Sequence, residues 1–163
     1  MAIVGDMDGL GYRPCVGVMM VNAEGKVFVG RRIDNHEGDW WQMPQGGVDD
    51  GEDLRAAALR ELAEETGVGE SQVSIIGRMD DPIRYDLPDE LIGELWGGRY
   101  RGQEQIWFLA RFTGCDGDVH LDAHNPPEFC DWKWVEPEQL PELIVPFKKR
   151  VYRAVVEAFR ELV

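Results

Sequence analysis

The sequence predicts an α/β architecture, and three observations predict it. Residues 52–66 carry apolar side chains at helical spacing between a glycine turn and a glycine stop. Residues 15–21 and 105–112 read as strands, the second largely covered on both faces, and helical spacing returns at 147–162. With 163 residues, 44% of them apolar, the chain has material for one full core and no stretch long enough for a second. A single domain over 11–163 is expected, behind a flexible lead at 1–10 where Gly5, Asp6, Asp8 and Gly9 offer nothing to bury.

Taken in order, Gly11-Tyr12-Arg13-Pro14 precedes a strand at 15–21, and a turn at 22–25 joins it to a second strand at 26–30, which reads as a hairpin. Arg31 and Arg32 leave that strand ahead of a polar loop at 34–39. They suit either bidentate contact with phosphate or an ordinary surface pair. Residues 40–45 then deliver the chain to the first helix. It is expected to start after Asp50-Gly51, with Glu52 and Asp53 in its first turn, and to stop at Gly67. Leu54, Ala57, Ala58 and Leu62 form its core-facing stripe.

Beyond the helix, 73–78 is a short strand and 83–87, with Tyr85, another that ends at Pro88. The mixed stretch 88–102 is expected to order partly over the site. In 105–112, Ile106, Phe108 and Ala110 alternate with Trp107, Leu109 and Arg111, so this strand should be central. A kinked loop at 125–129 leads to a closing strand at 132–135. The last helix, from residue 146 or 147 to 162, shows a stripe of Val151, Val155, Ala158 and Phe159 that should pack on the sheet.

The chemistry is concentrated in the first helix. Glu61, Glu64 and Glu65 stand at i, i+3 and i+4, so three carboxylates cluster over one turn, at a cost of a few tenths of a kcal/mol per like-charge pair. A divalent cation would reverse that cost. Oxygen ligands on a rigid scaffold suit Mg²⁺ or Mn²⁺, whose shells are commonly completed by water and substrate phosphate. The plain alternative is a solvated acidic face.

Composition narrows the partners. A formal net charge of −14 repels polyanions, so neither unspecific binding to DNA or other nucleic acid nor binding to anionic membrane is expected, and a nucleotide must be met locally. Cys15, Cys115 and Cys130 are odd in number and widely spaced, which suggests reduced, buried thiols instead of a disulfide or zinc framework. The start of the chain lacks a basic segment followed by an apolar run, and a cytoplasmic protein is expected.

Gly46, five residues, Glu52, seven residues, Arg60-Glu61-Leu62, Ala63, Glu64-Glu65, Thr66 and Gly67-Val68 together resemble the complete Nudix box. The resemblance implies the Nudix fold, a mixed sheet between helices (α/β/α). It also implies metal-dependent hydrolysis of nucleoside diphosphates linked to another group. Glu61, Glu64 and Glu65 would then be catalytic metal ligands, one of them the general base. Gly46, Glu52, Arg60 and Gly67 would be structural, with Arg60 and Glu52 paired to brace the loop against the helix.

The flanks resemble one branch of that family, the RNA pyrophosphohydrolases and asymmetrical diadenosine tetraphosphate hydrolases. The similar pieces are 11–14, 41–47, Gly102-Gln103 with Gln105 and Trp107-Phe108, 127–129 with Trp132 and Trp134-Val135, and 147–149 with Val151-Tyr152. That branch implies a further metal ligand at Glu128, otherwise an exposed Glu. Arg13 and Phe147 would sandwich a base, although Phe147 alone reads equally as a core aromatic. Arg32 and Lys148 or Lys149 would touch phosphate, and Tyr85 would lie beside the nucleotide. Ile106 stands where many members have Lys, so that phosphate contact is absent or supplied elsewhere.

The implied activity is release of pyrophosphate from triphosphorylated RNA 5′ ends. The alternative is cleavage of diadenosine tetraphosphate to ATP and AMP, and more remotely a Nudix module that senses nucleotides without turning them over.

Overall fold

The computed structural model describes residues 10–33, 38–93 and 95–163. The expected lead, residue 10 excepted, and residues 34–37 of the expected polar loop lie outside the described residues. The elements in chain order are β1 (Gly11–Val21), β2 (Val27–Arg32), β3 (Gln45–Gly47), α1 (Leu54–Thr66), β4 (Val73–Arg78), β5 (Ile83–Asp86), β6 (Tyr100–Phe112), β7 (Phe129–Val135), α2 (Leu140–Leu143) and α3 (Lys149–Phe159). The strands make one sheet in the order β4-β6-β1-β2-β7, with β3 added to β1 and β5 to β6. β1 and β6 run parallel and the other pairs antiparallel, so the sheet is mixed and β6 is central, as its two-sided apolar pattern predicts.

Alternation along β1 and β6 feeds two apolar layers. Val16, Val18, Met20, Phe108 and Ala110 pack with Ala57, Ala58 and Leu62 of α1 on one face. Met19, Val21, Trp107 and Leu109 pack with Val151, Tyr152, Val155 and Phe159 of α3 on the other. Each large side chain buried this way contributes on the order of 1.5–3 kcal/mol, and together they fix α1 on the face opposite α2 and α3.

Several boundaries differ from the sequence reading, for physical reasons. β1 begins at Gly11, not at 15, because 11–14 joins the parallel ladder with β6. Pro14 lacks an N–H, but its carbonyl accepts the Val48 N–H at 3.1 Å. The expected hairpin closes only at its tip, where Val21 faces Val27 and the Asn22 side chain caps the N–H groups of Glu24 and Lys26. Past the tip, residues 42–47 run between the two strands. Gln42 bridges to Gly30, Pro44 accepts from the Val18 N–H, and β3 pairs β1 at Cys15, Val16 and Gly17.

β2 continues to Arg32, so Arg31 and Arg32 end the strand and do not leave it. β6 starts at Tyr100 and β7 at Phe129, each earlier than expected because cross-strand partners recruit polar residues. In the last helix, 3₁₀ turns flank α3 on both sides, and Ala158 is exposed while Tyr152 and Val156 join the buried stripe. Cys15 is buried, but Cys115 and Cys130 are exposed free thiols, which corrects the expectation of three buried ones.

Candidate active site

The start of α1 shows how the box is built. Asp53, expected inside the first turn, is instead the N-cap and accepts from the Ala56 N–H at 3.0 Å. Glu52 therefore lies ahead of the helix, where its carboxylate accepts the Asp49 N–H at 3.0 Å and two Arg60 N–H groups at 2.8 and 2.9 Å. This pairing holds the Glu52 carboxyl down at about 2, through the Arg60 bonds first and the Asp49 amide second. Gly67, in the left-handed region at φ 77°, ends the helix by donating to the Ala63 carbonyl.

Arg60 reaches further than a brace. The same guanidinium donates to the Gly47 carbonyl at 3.0 Å, to Glu61 at 2.9 Å and to Glu64 at 3.4 Å, so one cation ties loop, helix start and acidic turn together. Glu61 and Glu65 are buried; only Glu64 of the three is partly open, so the acidic turn does not face solvent as a free surface would. Burial raises the Glu61 carboxyl above its ordinary range, opposed by bonds from Glu65 and Arg60. Burial raises Glu65 well above it, helped by the charges of Glu128 and Glu61.

The residues present suit a divalent cation. One oxygen of Glu65, Oε2, is buried without a hydrogen-bond partner, while the other accepts from the Gln45 N–H at 3.5 Å. Gly46 lies so close to Glu61 that a Cβ there would stand 2.0 Å from the carboxyl carbon; only glycine lets the backbone and that carboxylate approach. Among the described residues no three acidic, His or Cys groups are gathered tightly enough to hold an ion as they stand. Arg60 draws Glu61 and Glu64 toward itself, and a cation would compete with that guanidinium.

Beside the acidic turn opens a cleft of about 550 Å³. Arg13, Arg32, Tyr85, Phe147, Lys148, Glu61 and Glu128, all singled out from the sequence, line it. Strand β1 supplies Arg13, the end of β2 supplies Arg32, β5 supplies Tyr85, and the turn before α3 supplies Phe147 and Lys148. The Tyr85 and Phe147 rings pack at 5.9 Å, and the Lys148 ammonium lies 5.5 Å from the Tyr85 ring centre. Burial and the charge of Arg32 lower Lys148 to about 8. Lys149, the other lysine expected at phosphate, instead pairs with Glu142 at 3.2 Å. Glu64 and Glu65 are not part of the cleft lining.

The structure adds residues that had no assigned role. Leu87, Leu91, Leu95, Ile144 and Val145 make the apolar wall, and Gln42, Gln45 and Gln103 enter between them. Beneath, Gln105 donates to Gln103 at 2.7 Å and Gln45 at 3.1 Å, and Trp107 donates to Gln105 at 2.9 Å, a buried amide chain fixing β3 to β6. The available signal was Gln103 and Gln105 in an otherwise largely covered strand, where a polar side chain needs a partner. Ile106, by contrast, packs against the α1 layer.

An acidic helix held by a mixed sheet against a nucleotide-sized cleft defines the class: the chain belongs to the NUDIX family, whose domain model matches residues 11–155. The protein is a Nudix hydrolase acting on pyrophosphate bonds, in a family whose hydrolysis generally requires a divalent metal. It is 67% identical over 155 residues, 95% of this chain and 96% of the relative, to an RNA pyrophosphohydrolase of Novosphingobium aromaticivorans. To the RNA pyrophosphohydrolase of Erythrobacter litoralis it is 63% identical over 158 residues, 97% and 96% of the two chains. Among solved structures, a C. elegans Ap4A hydrolase binary complex matches 93% of this chain and 99% of its own, with TM-score 0.65 at 23% identity, which is a likeness of fold. Among the described residues no helix is long and apolar enough to cross a membrane.

Proposed function

We propose that this protein is an RNA pyrophosphohydrolase: water is added across an anhydride bond of a 5′-triphosphate, pyrophosphate leaves and the RNA keeps a 5′-monophosphate. The observation that carries the reading is one cleft in which Glu61 and Glu128 meet three basic side chains, Arg13, Arg32 and Lys148, and an aromatic wall of Tyr85 and Phe147. Near full-length relatives at 67% and 63% identity bear that name. The domain at 11–163 acts as one unit, in the cytoplasm, on this reading.

Glu61, Glu64 and Glu65, with Glu128 from the facing loop, would hold Mg²⁺ or, in its place, Mn²⁺, in keeping with an all-oxygen donor set and the unpartnered Glu65 oxygen. When bound, such an ion neutralises phosphate charge and makes its water more acidic. One carboxylate of the trio takes the proton of the attacking water. Arg13 and Phe147 hold the first base between guanidinium and ring, and Tyr85, whose ring packs on Phe147 at 5.9 Å, lies beside the nucleotide. Arg32 and Lys148 meet phosphate oxygens.

Because the chain carries a net charge of −14, RNA is gripped only at its first nucleotides, and a short oligonucleotide should be a full substrate. The test compares kcat/KM on a short triphosphorylated RNA and on diadenosine tetraphosphate at one Mg²⁺ and salt concentration. A preference for the dinucleotide of about tenfold, or ~1.4 kcal/mol in transition-state binding, would replace the RNA assignment. Binding of either without any phosphate release, with and without Mg²⁺, would make the protein a sensing module.

A further inference from the structure

Across Glu61 from the nucleotide cleft lies a second one, of about 410 Å³, between the loop after β3 and the start of β6. The two share Arg13, Gly47 and Glu61, so they form one path bent over the acidic turn. Their walls differ in kind. The first is walled by Tyr85, Leu87, Ile144 and Phe147, which suits a base. The second is bounded by Arg13, Asp49, Asp50, Arg60 and Arg99 with loop backbone, which suits charge and hydrogen bonding.

The charges that face this second cleft can be sorted by what already holds them. Arg60 is committed to Glu52, Glu61 and Glu64. Asp49 is drawn to Arg60 at 3.9 Å, and Asp50 is exposed at the rim. Arg13 lies against Gly47, where a Cβ would come within 2.5 Å of its guanidinium, and it also donates to the Cys15 sulfur at 3.6 Å. Arg99 is exposed, lies over the Tyr100 ring at 5.2 Å and pairs with no carboxylate among the described residues. Its planar fork matches a phosphate bidentately.

We infer that the second cleft is the subsite for the phosphates beyond the cleaved anhydride, so that the leaving pyrophosphate is gripped there by Arg99. The inference rests on the proposed function and gives the substrate a direction: base and first phosphate in the apolar-walled cleft, terminal phosphates over Glu61 toward Arg99. Asp50 at the rim opposes the same anion and tunes how tightly the product is kept.

The test is calorimetric binding of inorganic pyrophosphate, with Mg²⁺ in excess, and of AMP, to the wild-type chain, Arg99→Ala and Asp50→Lys. Arg99→Ala should weaken pyrophosphate about five- to fiftyfold and leave AMP within about twofold, since one charge-assisted contact is lost from one subsite. Asp50→Lys should tighten pyrophosphate with AMP unchanged. Unaltered pyrophosphate affinity in Arg99→Ala, or equal loss of both ligands, overturns the subsite. Should Arg99→Ala lower the melting temperature, Asp50→Lys decides alone, and unchanged pyrophosphate binding there overturns it. Wild-type release of pyrophosphate from triphosphorylated RNA is measured alongside. Its absence sinks the proposed function and this inference together, whereas release with an indifferent Arg99 sinks only the subsite.

Discussion

Glu65→Gln separates the carboxylate's cost to the fold from its use in catalysis. Gln keeps the shape of the side chain and can accept from the Gln45 N–H as Oε1 does, but carries no charge. The variant thus imitates protonated Glu65 at every pH. In the wild type, burial and the charges of Glu128 and Glu61 raise the folded-state value above the unfolded one. A raised carboxyl stabilises the fold fully below the ordinary glutamate value, about 4.3, and that stability is lost as pH rises through the folded value. Without metal, the two proteins should therefore melt alike near pH 4. Above it the variant should gain on the wild type by up to about 1.4 kcal/mol per pH unit, or roughly 3–6 °C per unit for a chain of this size, until the folded-state value is passed.

Mg²⁺ should invert the order. An ion that binds only the folded state raises the wild-type melting temperature by mass action and helps the variant less, because a ligand is gone. Turnover should fall by about a hundredfold or more. Melting curves across pH with and without Mg²⁺, together with kcat/KM, are the assay. A melting difference that does not change with pH, or wild-type turnover in the variant, would refute the assignment of Glu65 as a buried carboxyl poised for a cation.

Lys148, held at about 8 by burial and Arg32, should lose its charge as pH rises through that value, so kcat/KM for a phosphate substrate should fall above it. Lys148→Met should remove that limb and cost about ten- to a hundredfold at pH 7, and an unchanged pH profile would take Lys148 out of substrate binding. Phe147→Ala should lower kcat/KM by the worth of one stacked base, about 1–3 kcal/mol, while destabilising the half-buried position by less than the roughly 3–5 kcal/mol of a core aromatic. The reverse pattern, a large melting loss with unchanged kinetics in the folded fraction, would make Phe147 a core residue only.

What the sequence determined by itself was whatever depends on neighbours a few residues apart. Spacing alone placed α1 and ended it at Gly67, put Glu61, Glu64 and Glu65 on one turn, and marked β6 as covered on both sides, because helix and strand periodicity are properties of local backbone geometry. The Glu52–Arg60 pair follows from the box pattern for a related reason: eight residues separate a loop and the helix it opens, and one salt bridge spans them.

Tertiary structure decided what depends on partners far away in the chain. Strand ends at Gly11, Tyr100 and Phe129 are set by ladders to distant strands, which recruit polar residues that carry no strand signal of their own. Lys148 entered the cleft and Lys149 left it for Glu142, a choice made by how the turn before α3 docks. The burial of Glu61 and Glu65 arises because residues 42–47 are threaded between β1 and β2 and press Gly46 onto the acidic turn. No local pattern encodes that contact, since the energy of burying a carboxylate depends on what is laid over it.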